Sequence, residues 1–258
     1  MIVLDWQEFT SSGRTLGPLA MTIGVFDGVH RGHQALLSSI QNHPGTTSCV
    51  CTFSGNPLLL LAPDRHPGDI MSVSQKICRF RELGTAILIL IDFSHDFSKL
   101  SGREFLSVVM TGSDLRYLAL GRNFRFGYRN DTSAYDAERI LSARKIPVEI
   151  IPPVTYRDEP ISSSRIRKAI MEGRLDEAGE MLGNPFSLDV SHLDGNNDDH
   201  TVHVRKTATR QVLPPAGSYE CSILFEDGNE KTIVSIGQEV IEWKQEHKEQ
   251  AKYITFAR

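Results

Sequence analysis

Thr22-Ile23-Gly24-Val25-Phe26-Asp27-Gly28-Val29-His30-Arg31-Gly32-His33 reads as an apolar strand that ends in a glycine-containing turn and gives way to a helix near Arg31. Strand, turn and helix in that order is the step from which an open parallel sheet is built, and ligands of such sheets lie beyond the carboxyl ends of the strands. The helix start offers unpaired N–H groups and a partial positive charge to an anion. His30 and His33, three residues apart across the first helical turn, are spaced to donate to one phosphate whose oxygens gain charge during a transfer. Gly24, Gly28 and Gly32 permit close approach of a nucleotide and unusual backbone angles. Plainer readings stay open: the histidines as core or surface groups, Asp27 as a cap on the turn instead of a metal holder, Phe26 as core packing instead of a pocket wall.

Outward from this segment, short apolar runs alternate with helical stretches from Leu19 to Gly183. Residues 20–26, 48–53, 86–91, 117–121 and 148–151 are each too short for a helix core and are flanked by polar or turn residues, so they read as buried parallel strands. Ser101 followed by Glu104 is a capping box, Gly173 can stop a helix that begins near Ser164, and a second helix is expected at about 175–182. After Pro185 the texture changes. Residues 194–200 (DGNNDDH) have a loop or linker composition, and strands are expected at 201–205, 218–226 and 231–236, the last two joined by the turn Asp227-Gly228-Asn229. The expectation is an α/β domain over residues 1–185 and a smaller, mainly β domain over residues 186–258. At roughly 70 residues the second can bury only a small core.

Composition narrows the class. With 258 residues, 40% hydrophobic and 23% charged, the chain has the usual globular mixture. A net charge of −4 supplies no basic field to neutralise a run of phosphates, which argues against nucleic-acid binding. Cys49 and Cys51 share one apolar run, with Cys78 and Cys221 distant, so the four thiols match neither a zinc site nor a disulfide framework. The first ten residues carry Asp5 and Glu8 and lack a basic segment before an apolar one, and no apolar run approaches the roughly 20 residues of a membrane span. A cytoplasmic protein with no membrane partner is expected.

A second phosphate-type motif is Ile161-Ser162-Ser163-Ser164-Arg165-Ile166-Arg167. Hydroxyls before a helix cap its free N–H groups or bind phosphate, and a guanidinium matches phosphate oxygens with a planar fork of donors. Taken together, these residues and the His30–His33 string resemble the HxGH nucleotidyltransferase superfamily, and in particular the bacterial bifunctional riboflavin kinase/FAD synthetase family. Gly121-Arg122-Asn123-Phe124-Arg125-Phe126-Gly127 is similar to that family's G-x-[ND]-F-x-F-G segment, and residues 161–167 to its ISSTxIR motif, with Ser164 in place of threonine.

The resemblance implies a Rossmann-like nucleotidyltransferase domain followed by a β, barrel-like domain. It implies transfer of AMP from ATP to FMN, giving FAD and pyrophosphate, with Mg²⁺ accompanying ATP and no metal-ligating residues of the chain's own assigned. His30, His33, Ser163, Ser164 and Arg167 are implied in the phosphate chemistry, the last three on the outer phosphates. Gly24, Phe26, Asp27, Gly28, Asn123, Phe124 and Phe126 are implied at the nucleotides. The family's FxPHP-like string appears as Phe53-Ser54-Gly55-Asn56-Pro57, and the Asn56 amide can hydrogen-bond a flavin but carries no proton.

In the tail, Leu213 to Tyr219 resembles an L-P-x-G-V-Y strand start, but the kinase module's G-x-P-T-A-N segment is at most a remnant at Thr207-Ala208-Thr209. Glu239 and Glu242 lack the pattern around its catalytic glutamate. Loss of riboflavin kinase activity is therefore expected. The competing readings are a bifunctional enzyme, a nucleotidyltransferase for another small phosphoester, and a flavin- or nucleotide-binding module without turnover.

Overall fold

A computed structural model describes residues 1–94, 96–193, 196–198, 200–246 and 249–257. The chain divides into two compact units, residues 1–66 with 76–160, and residues 67–75 with 161–258.

The first unit is built on a sheet of β1 (Ile2–Asp5), β2 (Pro18–Ile23), β3 (Thr47–Phe53), β4 (Ile87–Ile91), β5 (Asp114–Gly121) and β6 (Val148–Ile151). Its order is β1-β4-β3-β2-β5-β6, with every neighbouring pair parallel. Leu19, Ala20 and Met21 of β2 are all fully buried, because a parallel strand is covered on both faces. That is why the strands read as continuous apolar runs. The accompanying helices are α1 (Trp6–Ser12), α2 (Arg31–Gln41), α3 (Leu58–Leu61), α4 (Val73–Glu82), α5 (Gly102–Gly112) and α6 (Ala134–Ser142). The capping box at Ser101 and Glu104 starts α5, which buries Phe105, Leu106 and Val109.

From β2 the chain steps outward to β3 and β4, then returns to lay β5 on the other side of β2. The strand order reverses there, and a crevice opens where it does. All five expected strands are present, with one shortened. The run expected over residues 20–26 leaves the sheet at Ile23, because Phe26 (φ 52°), Gly28 (φ 83°) and Val29 (φ 38°) turn the backbone out of the extended region. β1 was not expected. It is a four-residue edge strand whose Ile2 is 52% exposed, too short and too exposed to carry a pattern.

The second unit holds α7 (Ser163–Met171) and α8 (Leu175–Leu182), followed by β7 (Ser187–Asp189), β8 (Asn196–Asp198), β9 (Thr201–Arg205), β10 (Gly217–Leu224), β11 (Asn229–Ile236), β12 (Val240–Lys244) and β13 (Tyr253–Phe256). They form an antiparallel sheet in the order β7-β13-β10-β11-β12-β9-β8, open between its end strands, a half-barrel. Two expectations are corrected. The units part between Pro160 and Ile161, not near Pro185. The composition changes where α8 ends, but both helices, with Ile166, Ile170, Met181 and Leu182 buried, belong to the second unit. The polar run 194–200 is also not all linker, since Asn196–Asp198 pairs with Thr201–His203; Asp194, Gly195 and Asp199 lie outside the described residues.

Residues 67–75 form a strap of the second unit. Asp69 bridges Gln211, whose side-chain amide donates to the carbonyls of Ile70 (2.9 Å) and Ser187 (3.1 Å). Ser72 donates to the buried Asp189 carboxylate at 2.5 Å.

Candidate active site

The turn after β2 is held tightly. Gly24 N–H donates to the Cys51 carbonyl (3.1 Å) and Val29 N–H to that of Phe26 (3.2 Å). A Cβ on Gly24 would sit 3.0 Å from the Phe26 ring, so the close approach requires glycine. Phe26 is 1% exposed, edge-on to Phe80 (5.6 Å between centroids) and to His33 (5.0 Å). Its side chain belongs to the core. Asp27 is likewise buried.

His30 is the N-cap of α2, with Nδ1 accepting from the His33 N–H at 3.3 Å. In the neutral ring that acceptor role leaves the proton on Nε2, so Nε2 is a donor. The two imidazoles stack 3.6 Å apart at 16°. Burial pushes His30 down to about 4. His33 is held well below the ordinary value by burial, then by His30 and Lys76. Burial thus favours the neutral form of both rings. His33 Nδ1 is enclosed with no hydrogen-bond partner, an arrangement that costs free energy until something fills it.

Lys76, on α4, is 5% exposed and was not singled out from the sequence. Its ammonium donates to the carbonyls of Val25 (3.0 Å) and Phe53 (3.3 Å), and Thr52 Oγ1 donates to the same Val25 carbonyl (3.0 Å). The available signal was its position four residues before the buried Phe80, on the helix face that turns inward.

Beside the turn lies a cavity of about 440 Å³, whose wall includes Ile23 and Val25. Six phenylalanines dominate it: Phe53, Phe93, Phe97, Phe105, Phe124 and Phe126. They form a chain of contacts. Phe53–Phe93, Phe93–Phe97, Phe97–Phe105 and Phe105–Phe126 meet steeply tilted or edge-to-face at 5.4–6.0 Å, and Phe124 stacks on Phe126 at 5.4 Å and 16°. Phe124 and Phe126 were expected at a nucleotide and Phe53 opens the FxPHP-like string, whereas Phe93, Phe97 and Phe105 are scattered in sequence and carried no local motif. Asn123 is exposed. Asn56 Oδ1 accepts from Leu58 N–H (3.1 Å), an Asx-turn just ahead of α3, whose N-cap is Pro57.

Ser163, Ser164 and Arg167 lie at the start of α7 in the second unit. Ser162 is the cap, accepting from Arg165 N–H (3.3 Å), while Ser164 is exposed. Arg167 is only 8% exposed, and its Nε donates to the Gly68 carbonyl of the strap at 2.8 Å.

The family model for FAD synthetase matches residues 14–165. The bifunctional riboflavin kinase/FMN adenylyltransferase of Bacillus subtilis is 28% identical over 207 residues, 77% of this chain and 65% of the relative. That of Listeria monocytogenes is 26% identical over 85% of this chain and 72% of its own length, and that of Escherichia coli K12 is 28% identical over 79% and 67%. The chain thus spans about two thirds of the length of these relatives. A crystal structure described as a macrolide-efflux protein from Streptococcus pneumoniae superposes with a TM-score of 0.83, covering 99% of this chain and 90% of that one at 23% identity, a likeness of fold. Among the described residues, no helix is long and apolar enough to cross a membrane.

Proposed function

We propose that this chain, which belongs to the FAD synthetase family, transfers AMP from ATP to the phosphate of FMN, releasing FAD and pyrophosphate. The observation that carries the reading is the meeting, in one unit, of the His30–His33 pair at a helix start and a six-phenylalanine slot that shares the Val25 wall. A planar, apolar ring system fits such a slot, because aromatic faces stack and their edges pack against faces. The phosphate tail of the same ligand then reaches the helix start, where N–H groups and neutral imidazole donors favour an anion.

In the reaction, an FMN phosphate oxygen forms the new bond to the α-phosphorus of ATP as the bond to pyrophosphate breaks. The nucleophile is already anionic, so the protein has mainly to position and to stabilise charge. Nε2–H of His30 is the donor suited to the α-phosphate. Ser163, Ser164 and Arg167 are assigned to the outer phosphates by the family motif. Mg²⁺ would arrive with ATP and would supply charge neutralisation at the phosphates, with Asp27, the carboxylate within the turn, the side chain that would help hold it. Among the described residues there is no group of three His, Cys, Asp or Glu that could hold a metal by itself.

The riboflavin kinase step is proposed to be missing, because Thr207-Ala208-Thr209 is all that remains of the expected metal–nucleotide segment. The enzyme is further proposed to work in the cytoplasm. Chromatography of products from Mg²⁺-ATP with FMN or with riboflavin tests both activities. FAD from FMN and nothing from riboflavin is the expected result. FMN formed from riboflavin overturns the loss of the kinase, and binding of ATP and FMN without release of pyrophosphate would point to a non-catalytic module.

A further inference from the structure

We propose that Lys76 is a positioning residue for adenylyl transfer, clamping the Val25 carbonyl inward so that the following peptide N–H, on Phe26, is presented away from the core to the transferred phosphate. The inference rests on the adenylyl-transfer reading of this site.

A trans peptide holds its C=O and N–H in one plane pointing in opposite directions, and among the described residues no peptide bond is cis. Whatever fixes the Val25 carbonyl therefore fixes the Phe26 N–H. Two donors fix it, Lys76 Nζ and Thr52 Oγ1, each at 3.0 Å, and both side chains are buried. Lys76 also donates to Phe53 O at 3.3 Å, tying the carboxyl end of β3 to the turn after β2. Those strand ends lie where ligands of such sheets bind. The peptide needs such a clamp, because Phe26 at φ 52° and Val29 at φ 38° are conformations that side-chain-bearing residues occupy only when their surroundings impose them. An extended alternative would swing the carbonyl, and with it the N–H, to the other side. After burial and His30, the Lys76 charge is a further cause that lowers the His33 value. Burying a lysine costs free energy that a methionine in its place would not, which makes a purely packing role for this side chain a poor explanation.

The test uses the full chain with Lys76→Met, Lys76→Arg and Thr52→Val. Lys76→Met is expected to lower kcat for FAD formation about 100-fold, the loss seen when a phosphate-stabilising donor is misplaced, and to weaken Mg²⁺-ATP binding. FMN binding, read by flavin fluorescence, should stay unchanged. Lys76→Arg should recover much of kcat, because a guanidinium can reach both carbonyls. Thr52→Val should lower kcat less, and the double variant should be no worse than Lys76→Met alone, since both donors serve one carbonyl.

A Lys76→Met enzyme with near-normal kcat, or one that loses FMN and ATP binding together, overturns the proposal. If Lys76→Met does not fold, Thr52→Val decides, and an unchanged kcat there overturns it. A wild type that binds Mg²⁺-ATP but forms no FAD would sink the adenylyl-transfer reading instead. The ATP affinities of wild type and variants would then still test the clamp.

Discussion

That His30 and His33 share one helix start was legible from their three-residue spacing beyond a glycine turn, and the structure stacks the two rings 3.6 Å apart. His30→Ala or His33→Ala is expected to raise the barrier to FAD formation by about 3 kcal/mol while unfolding stays cooperative; near-normal turnover would remove them from the site. Gly32→Ala is a subtler probe. Its Cβ would lie 3.1 Å from Cε1 of His30, so kcat should fall with little change in Tm, alanine being the better helix former. At Gly68 the constraint is backbone. With φ 104° and a Cβ that would come 2.6 Å from Val212 N, Gly68→Ala should destabilise the protein by more than about 2 kcal/mol in a denaturant titration. Nothing in the local sequence announced this, because Val212 is far along the chain.

Among the elements, α5 was recognisable at its first residue, since a capping box is a local pattern that satisfies local N–H groups. Ser101→Ala should cost about 1 kcal/mol, seen as a lower Tm. The phenylalanine slot behaves differently. The F-x-F of Phe124 and Phe126 marks one wall, but Phe93 and Phe97 come from the loop after β4 and Phe105 from α5, and only folding gathers them. Phe126→Ala, which opens the stacked pair, is expected to weaken FMN binding about tenfold and leave Mg²⁺-ATP binding alone; equal losses for both ligands would argue against the slot as the flavin site.

For the molecule entire, the buried neutral histidines make stability depend on pH. His30 lies near 4 when folded against about 6.5 when unfolded, so between those values the unfolded chain binds the extra proton. Its stability contribution is complete above about pH 6.5 and is lost as pH falls toward 4. Between pH 7 and 5 this amounts to roughly 2 kcal/mol, and unfolding titrations of His30→Asn should show a shallower pH slope. The sequence by itself determined the parallel α/β unit, the glycine turn into the helix at Arg31 and the β-rich tail, because burial on both strand faces, caps and glycine turns are written in neighbouring residues. Only the tertiary structure decided that the units part at Pro160, that residues 67–75 belong with the second, that six phenylalanines share one cavity and that Lys76 holds the turn. Those facts depend on which distant side chains are buried against one another, and no window of neighbouring residues contains that information.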